Sequence, residues 1–268
     1  MTPAVVAERE WRRFTPAERF GRFTVYLAIV AAIVISVRTV EVIPDFIADA
    51  PEQIADLFRR MWPPDFRYYP QEIHEALIDS MHIATVGTVL GIAMALPFGF
   101  LAARNVTPFA WANWLARFAL ISARSVNTLV FALFFVAVFG PGPLAGTLAI
   151  AFHSIGFLGR LFSEALEVAN PGPVEALRAA GAPWPSVLVY GYWPQVAPAF
   201  WALVLFRWDI NVRESIVLGL VGAGGVGMVL DTALNLFQWT RVAMVLVAIL
   251  AVVVVAEIAA TYIRKKII

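Results

Sequence analysis

The feature that most constrains this chain is the length of its uncharged apolar runs. From Ser125 to Gly159 there is no Lys, Arg, Asp or Glu, and from Ile83 to Ala103 there is none either. A helix needs about 20 predominantly apolar residues to cross the hydrocarbon core of a bilayer. Composition agrees: 60% of the 268 residues are hydrophobic and 15% charged, with a mean hydropathy of +0.77. Soluble domains carry about 45–50% apolar and about 25% charged residues. That excess is too large for one water-soluble core, so the chain reads as an all-α integral membrane protein. A net charge of +1 exerts no strong pull on nucleic acid. The absence of cysteine removes disulfides, thiol catalysis and cysteine metal sites.

Six segments qualify as spans, about Phe23–Ile43, Leu77–Ala103, Arg117–Phe139, Leu144–Leu166, Val196–Leu218 and Val242–Ile263. The turn "FGPGPLAG" (Phe139–Gly146) divides the third from the fourth, since adjacent Gly and Pro break a helix. Arg9, Arg12, Arg13, Arg19 and Arg22 precede the first span, and Arg264, Lys265 and Lys266 follow the last. By the positive-inside rule both termini are cytoplasmic, which requires an even number of spans. The charged N-terminus has no apolar core with a cleavage site and is expected to be a cytoplasmic leader. The acidic segment between spans one and two falls outside, with "MWPPDFRYYP" as an interfacial turn. Residues 1–76 thus form a leader, a first span and an outer segment, and residues 77–268 the main membrane domain.

The inside loop between spans four and five carries "EALRAAGAPWPSVLVYGYWP" (Glu175–Pro194). Glu175 to Ala180 favours a helix, Asn170-Pro171-Gly172-Pro173 restarts the chain before it, and Gly181 can end it at positive φ. On physical grounds this is either a connector lying on the membrane surface or a docking element. Glu175, Ala176, Gly181 and Pro194 stand at the spacing of the EAA motif, and the stretch resembles that motif of bacterial ABC importer permeases. Leu177, Gly191 and Trp193 depart from it. With "HSIGFLGRLFSEALE" (His153–Glu167) and "FRWDINVRESIVLGLVGAGGVG" (Phe206–Gly227), the last two-thirds of the chain is similar to phosphonate importer permeases.

The resemblance implies a methionine-importer-like core of five helices plus an N-terminal helix. It implies a coupling helix near 172–193 that docks, through Glu175, Ala176, Ala179, Gly181 and Pro194, onto a cytoplasmic ATPase dimer. It further implies a second copy of this chain, an external or periplasmic binding protein, and a place in the bacterial inner membrane. ATP and Mg would belong to the partner ATPase; this chain is expected to be no enzyme and to hold no cofactor or metal. Phosphite, another oxyanion or methionine are alternative cargoes, and a membrane enzyme acting on lipid headgroups is the rival from a different class.

Arg207, Asp209, Arg213 and Glu214 lie in or beside span five. Ionisable groups at membrane depth face a protein interior or a water-filled path. Two readings follow: an internally paired cluster that fixes helix packing, or an arginine, Arg207 or Arg213, lending positive potential to an anion path. Asp209 and Arg213 are spaced i,i+4 in the favourable order. The run Gly219–Gly227 lacks the Lys-Ser/Thr of a phosphate loop, so Gly222, Gly224, Gly225 and Gly227 are expected to permit close helix packing. Whether 219–235 forms a re-entrant helix or an outer loop is open in the sequence. Asp79, His82, Asn127, His153 and Glu164 are read as structural hydrogen-bonding groups within apolar runs.

Overall fold

The computed structural model describes residues 14–40 and 44–267, and among them every regular element is helical. The chain divides between Asp56 and Leu57 into two compact units. In the first, helix α1 (Pro16–Thr39) starts at a capping box. Thr15 Oγ1 accepts from the Glu18 amide at 3.4 Å, and Glu18 Oε2 accepts from the Thr15 amide at 2.9 Å. Its apolar side chains, from Phe20 to Val37, are exposed on every side. An apolar surface all round a helix suits lipid, not water. Helix α2 (Pro44–Met61) follows and runs across the division, its sequence strongly amphipathic.

The second unit opens with the last turn of α2, followed by a 3-10 turn (Phe66–Tyr68) and a π turn (Tyr69–Ile73) that run straight into α3 (His74–Ala102). Then come α4 (Ala110–Ser125), α5 (Thr128–Phe139) and α6 (Pro143–Glu167). They are followed by the short α7 (Pro171–Ala179), a helical turn α8 (Trp184–Ser186), α9 (Trp193–Gly219), α10 (Val226–Asn235) and α11 (Trp239–Ile267). Helix α6 is the hub, packed by α3, α4, α5 and α9. Small residues let α3 approach it closely. A Cβ on Gly87, Gly91 or Gly99 would come within 2.7 Å of Ile150, Ser154 or Phe162 of α6.

Ala17–Thr39, Phe66–Ala102, Pro143–Glu167 and Trp239–Ile267 are long and apolar enough to cross a membrane. Helices α4 and α5 qualify only together, and their axes turn by 88° at the break. The sequence predicts one continuous helix from Arg117 to Phe139 there. The chain leaves helical geometry at Val126 and Asn127, both extended, and Asn127 caps α5 by accepting from the Leu129 amide at 2.9 Å. The Val126 carbonyl thereby freed accepts from His153 Nδ1 of α6 at 3.0 Å.

Helix α9, the expected fifth span, has ample length at 27 residues, but its four charged groups keep it out of the apolar class. It also starts earlier than the proline predicts. The rise is helical from Trp184 through a π stretch (Val187–Tyr192), where the Trp193 amide reaches back to the Leu188 carbonyl. The wider turn accommodates Pro194, whose ring would clash in a tight helix and whose missing amide falls in the first turn of α9. The open 219–235 region is a glycine turn followed by the 10-residue α10, too short to span.

Candidate functional site: a clasped short helix and a buried polar network

Helix α7 carries the EAA-like head. Asn170 caps it, its Oδ1 accepting from the Gly172 amide at 2.9 Å, and Pro171 occupies the first turn. Its end is a Schellman closure: the Ala182 amide donates to the Leu177 carbonyl at 3.0 Å and the Gly181 amide to Arg178 at 3.0 Å. The closure places Gly181 at φ +76°, a conformation that disfavours any residue with a Cβ. Val174 is the one fully buried side chain of α7, with Leu177 partly buried beside it. They seat against Gly191 of the π stretch, where a Cβ would stand 3.3 Å from both side chains. Glu175, Ala176 and Ala179 point the other way and are exposed, as is Pro194.

What holds this helix in place is spread along the chain. Gln195 Oε1 accepts from the Asn170 amide at 2.9 Å, and its Nε2 donates to the carbonyls of Asn170 at 3.3 Å and Gly191 at 2.6 Å. Tyr192 Oη donates to the Asn105 carbonyl at 3.2 Å, and Trp184 Nε1 to that of Val106 at 3.4 Å. Asn105 Nδ2 in turn donates to the Leu166 carbonyl at the end of α6 at 2.6 Å. Glu167 accepts from the Arg104 amide at 2.9 Å and pairs with Arg117. Thus α7, the α3–α4 loop and the ends of α6 and α9 form one bonded block. Gln195, Asn105, Asn170 and Glu167 lie outside the motif; only the cap-forming "NPGP" signals one of them locally.

The four charges of α9 pair off. Arg213 bonds Asp209 one turn away, and Arg207 Nη2 bonds Glu214 Oε2 at 3.0 Å. Arg207, only 2% exposed, also donates from Nε to Ser154 Oγ of α6 at 3.1 Å. Glu214 Oε2 accepts from Thr128 Oγ1, at the start of α5, at 3.0 Å. Asn211 Nδ2 donates to Thr88 Oγ1 of α3 at 2.7 Å and to Ser154 Oγ at 3.3 Å. One network therefore ties α9 to α3, α5 and α6. Of the two arginines singled out by sequence, Arg207 is enclosed, whereas Arg213 is half-exposed. Arg213 lines a depression of about 300 Å3 with Asn127, Thr128, Leu129 and Glu214. Ser154, Asn211, Thr88 and Thr128 carry no sequence signal, being short polar residues in apolar runs.

The glycine run makes a turn against the start of α6. Gly222, in the turn beyond α9, adopts φ +85°, and its carbonyl accepts from the Gly142 amide at 2.9 Å. Gly225, at φ +73°, lies so close to Ser80 Oγ of α3 that a Cβ would overlap it, and the Val226 amide donates to that same oxygen at 2.9 Å. A Cβ on Gly224 or Gly227 would likewise overlap the backbone of Pro143 or Ile216. Asp79 and His82 are exposed, and Glu164 pairs with Arg160 at 2.9 Å. No group of three His, Cys, Asp or Glu able to hold a metal occurs among the described residues.

A bundle of lipid-length helices, with a short capped helix clasped between two of them, is the architecture of a transport permease. Residues 95–268 match the family described as binding-protein-dependent transport system inner membrane component, and the chain belongs to that family. It is 41% identical over 212 residues to a phosphite transport system permease protein of Stutzerimonas stutzeri, covering 79% of this chain and 77% of that one. Over 212 residues it is 39% identical to a phosphate-import permease protein of Mycolicibacterium smegmatis, covering 79% of this chain but 40% of that relative's length. A putative cryptic phosphonate transport system permease protein of Escherichia coli K12 is 40% identical over 118 residues, 44% of this chain and 97% of that one. The fold is shared with a solved methionine ABC transporter. That match has a TM-score of 0.64 at 21% identity and covers 73% of this chain and 96% of that chain.

Proposed function

We propose that this chain is the permease of an ATP-driven importer of small phosphorus oxyanions, phosphonates first among them. It works as a homodimer in the bacterial inner membrane with both termini cytoplasmic. A cytoplasmic ATPase dimer binds ATP and Mg below it, and an external or periplasmic binding protein delivers cargo from the other side. The observation that carries this reading is α7, a capped helix presenting Glu175, Ala176 and Ala179 to solvent while its other face is bonded into the bundle. Such a helix can be gripped from outside without being pulled loose.

Closure of the ATPase dimer displaces α7. Through Gln195 and Gly191 the displacement passes to the foot of α9, and through Tyr192 and Asn105 to the α3–α4 loop and α6. The Arg207–Ser154–Asn211 network makes α9 and α6 move together deeper in the bundle. Arg213, half-exposed beside its depression, offers a planar guanidinium that can donate two hydrogen bonds to a passing oxyanion. The glycines at 222–227 allow the tight backbone approach beside this path. Phosphate is the second reading for the cargo, favoured by the description of the M. smegmatis relative.

The test is purification of the complex in mild detergent, then uptake into proteoliposomes with phosphonate, phosphite and phosphate as competing cargoes. Co-purification of an ATPase, lost in Glu175→Arg, together with uptake competed by phosphonate or phosphite, is expected. Full uptake by Glu175→Arg and Gly181→Pro would refute the docking role, and competition by phosphate alone would select the second reading.

A further inference from the structure

Helix α2 precedes the family-matched segment and takes no part in the coupling block. At 100° per residue, Phe46, Leu57, Ala50, Met61, Ile54, Ile47 and Phe58 fall within an arc of about 120°. The opposite arc holds Arg59, Glu52, Asp45, Asp56, Asp49, Arg60 and Gln53. Four of the large side chains on the apolar arc are bare: Phe46 is 71% exposed, Ile47 63%, Ile54 54% and Phe58 66%. A stripe of large side chains this exposed is not stable in water.

Connectivity says what covers it. Span α1 ends at Thr39, five residues before α2, and the next span opens at Phe66, five residues after α2 ends. The chain that leaves the bilayer at one point re-enters at the other, on the same face. Both ends of an 18-residue helix, about 27 Å long, are therefore tethered close to one membrane surface. A helix held at both ends cannot stand upright from that surface. Its C-terminal end is pinned further: Met61 packs on the cluster around Tyr68 and Val242, and the Asp65 amide donates to the Thr240 carbonyl at 3.1 Å. Exposed Trp62 and Phe66 beside it suit the headgroup level.

We propose that α2 is an in-plane interfacial helix on the outer face, its Phe46–Ile54–Phe58 stripe sunk into the headgroup–acyl boundary and its acidic arc turned to the aqueous side. The occupant of the stripe is lipid. The polar arc holds four acidic and two basic residues, so attraction to anionic lipid contributes nothing and apolar burial alone holds the helix down.

The chain has no cysteine, so single introduced cysteines report cleanly. Phe46→Cys, Ala50→Cys, Ile54→Cys and Phe58→Cys on one arc, with Asp49→Cys, Glu52→Cys and Gln53→Cys on the other, are spin-labelled in the intact complex. The complex is reconstituted into phosphatidylcholine vesicles, or into phosphatidylcholine with one-quarter phosphatidylglycerol. The expected result is oxygen accessibility that peaks with helical period on the apolar arc and nickel-chelate accessibility on the acidic arc, the same in both lipids. High nickel access at every site would overturn the proposal. So would apolar-arc labels shielded from both reagents, which would mean a protein cover. Ala50→Cys and Gln53→Cys, the mildest changes on each arc, keep the comparison decisive if an aromatic substitution reduces yield. The outcome is independent of cargo and of coupling by α7.

Discussion

Substitution of Gly181 separates backbone conformation from packing, because nothing lies within 4 Å of where its Cβ would be. Ala at this position meets no atom, so its whole effect comes from φ +76°. Holding an L-residue with a Cβ in that left-handed region costs about 1–2 kcal/mol. Asn tolerates the region better than other residues and should lose less. Pro fixes φ near −65° and removes the amide that donates to the Arg178 carbonyl, so the Schellman closure is abolished. Helix α7 has nine residues and one fully buried side chain, and helices this short are marginal without tertiary support. A cost of about 1–2 kcal/mol then changes the ratio of formed to frayed α7 roughly 5–30-fold. Membrane insertion should be untouched, since the apolar spans are unaltered. The assay is ATPase activity stimulated by the binding protein in proteoliposomes, normalised to inserted permease. The expected order is Gly, then Asn, then Ala, with Pro inactive. Equal activity of Gly, Ala and Pro would refute the reasoning, as would Asn falling below Ala.

Three further outcomes follow from the same structure. Gln195→Leu removes three hydrogen bonds at the foot of α9, worth about 1–2 kcal/mol together in this exposed setting; amide exchange should quicken through residues 172–180 and stay unchanged in α6. Arg207→Met strips a partly buried Glu214 of its partner and should cost about 3 kcal/mol, whereas Arg207→Met with Glu214→Gln should recover most of it; a double variant melting no higher than the single in detergent would sink the pairing account. Gly225→Ala combines positive φ with overlap on Ser80 and should lower the melting temperature; adding Ser80→Ala relieves only the overlap, so recovery should be partial.

Much of the membrane architecture was legible in one dimension. The apolar runs near Phe23–Ile43, Leu77–Ala103, Leu144–Leu166 and Val242–Ile263 declare themselves because lipid selects length and hydropathy, both local properties, and the structure has membrane-length helices over Ala17–Thr39, Phe66–Ala102, Pro143–Glu167 and Trp239–Ile267. The bounds of the short helix α7 were legible for a similar reason: caps and αL closures are local chemistry, and Asn170, Pro171 and Gly181 sit where that chemistry demands. The break at Val126–Asn127 was not, because nothing in an uncharged run marks the one carbonyl that will find His153 across the bundle. Nor could the proline at 194 reveal that a π turn would let the helix run through it.

The sequence by itself determined that this chain lives in a bilayer, where its short helix begins and ends, and which four charges had to be reconciled with lipid. Only the tertiary structure decided how they are reconciled. Arg207 turns inward to Ser154 and Glu214 while Arg213 stays half-open, and Gln195 closes the clasp on α7. Partners in this network lie up to 123 residues apart in the chain, as Thr88 and Asn211 do. A buried polar group is satisfied by whatever packing brings within about 3 Å, and that proximity is a property of the assembled helices and not of any single segment.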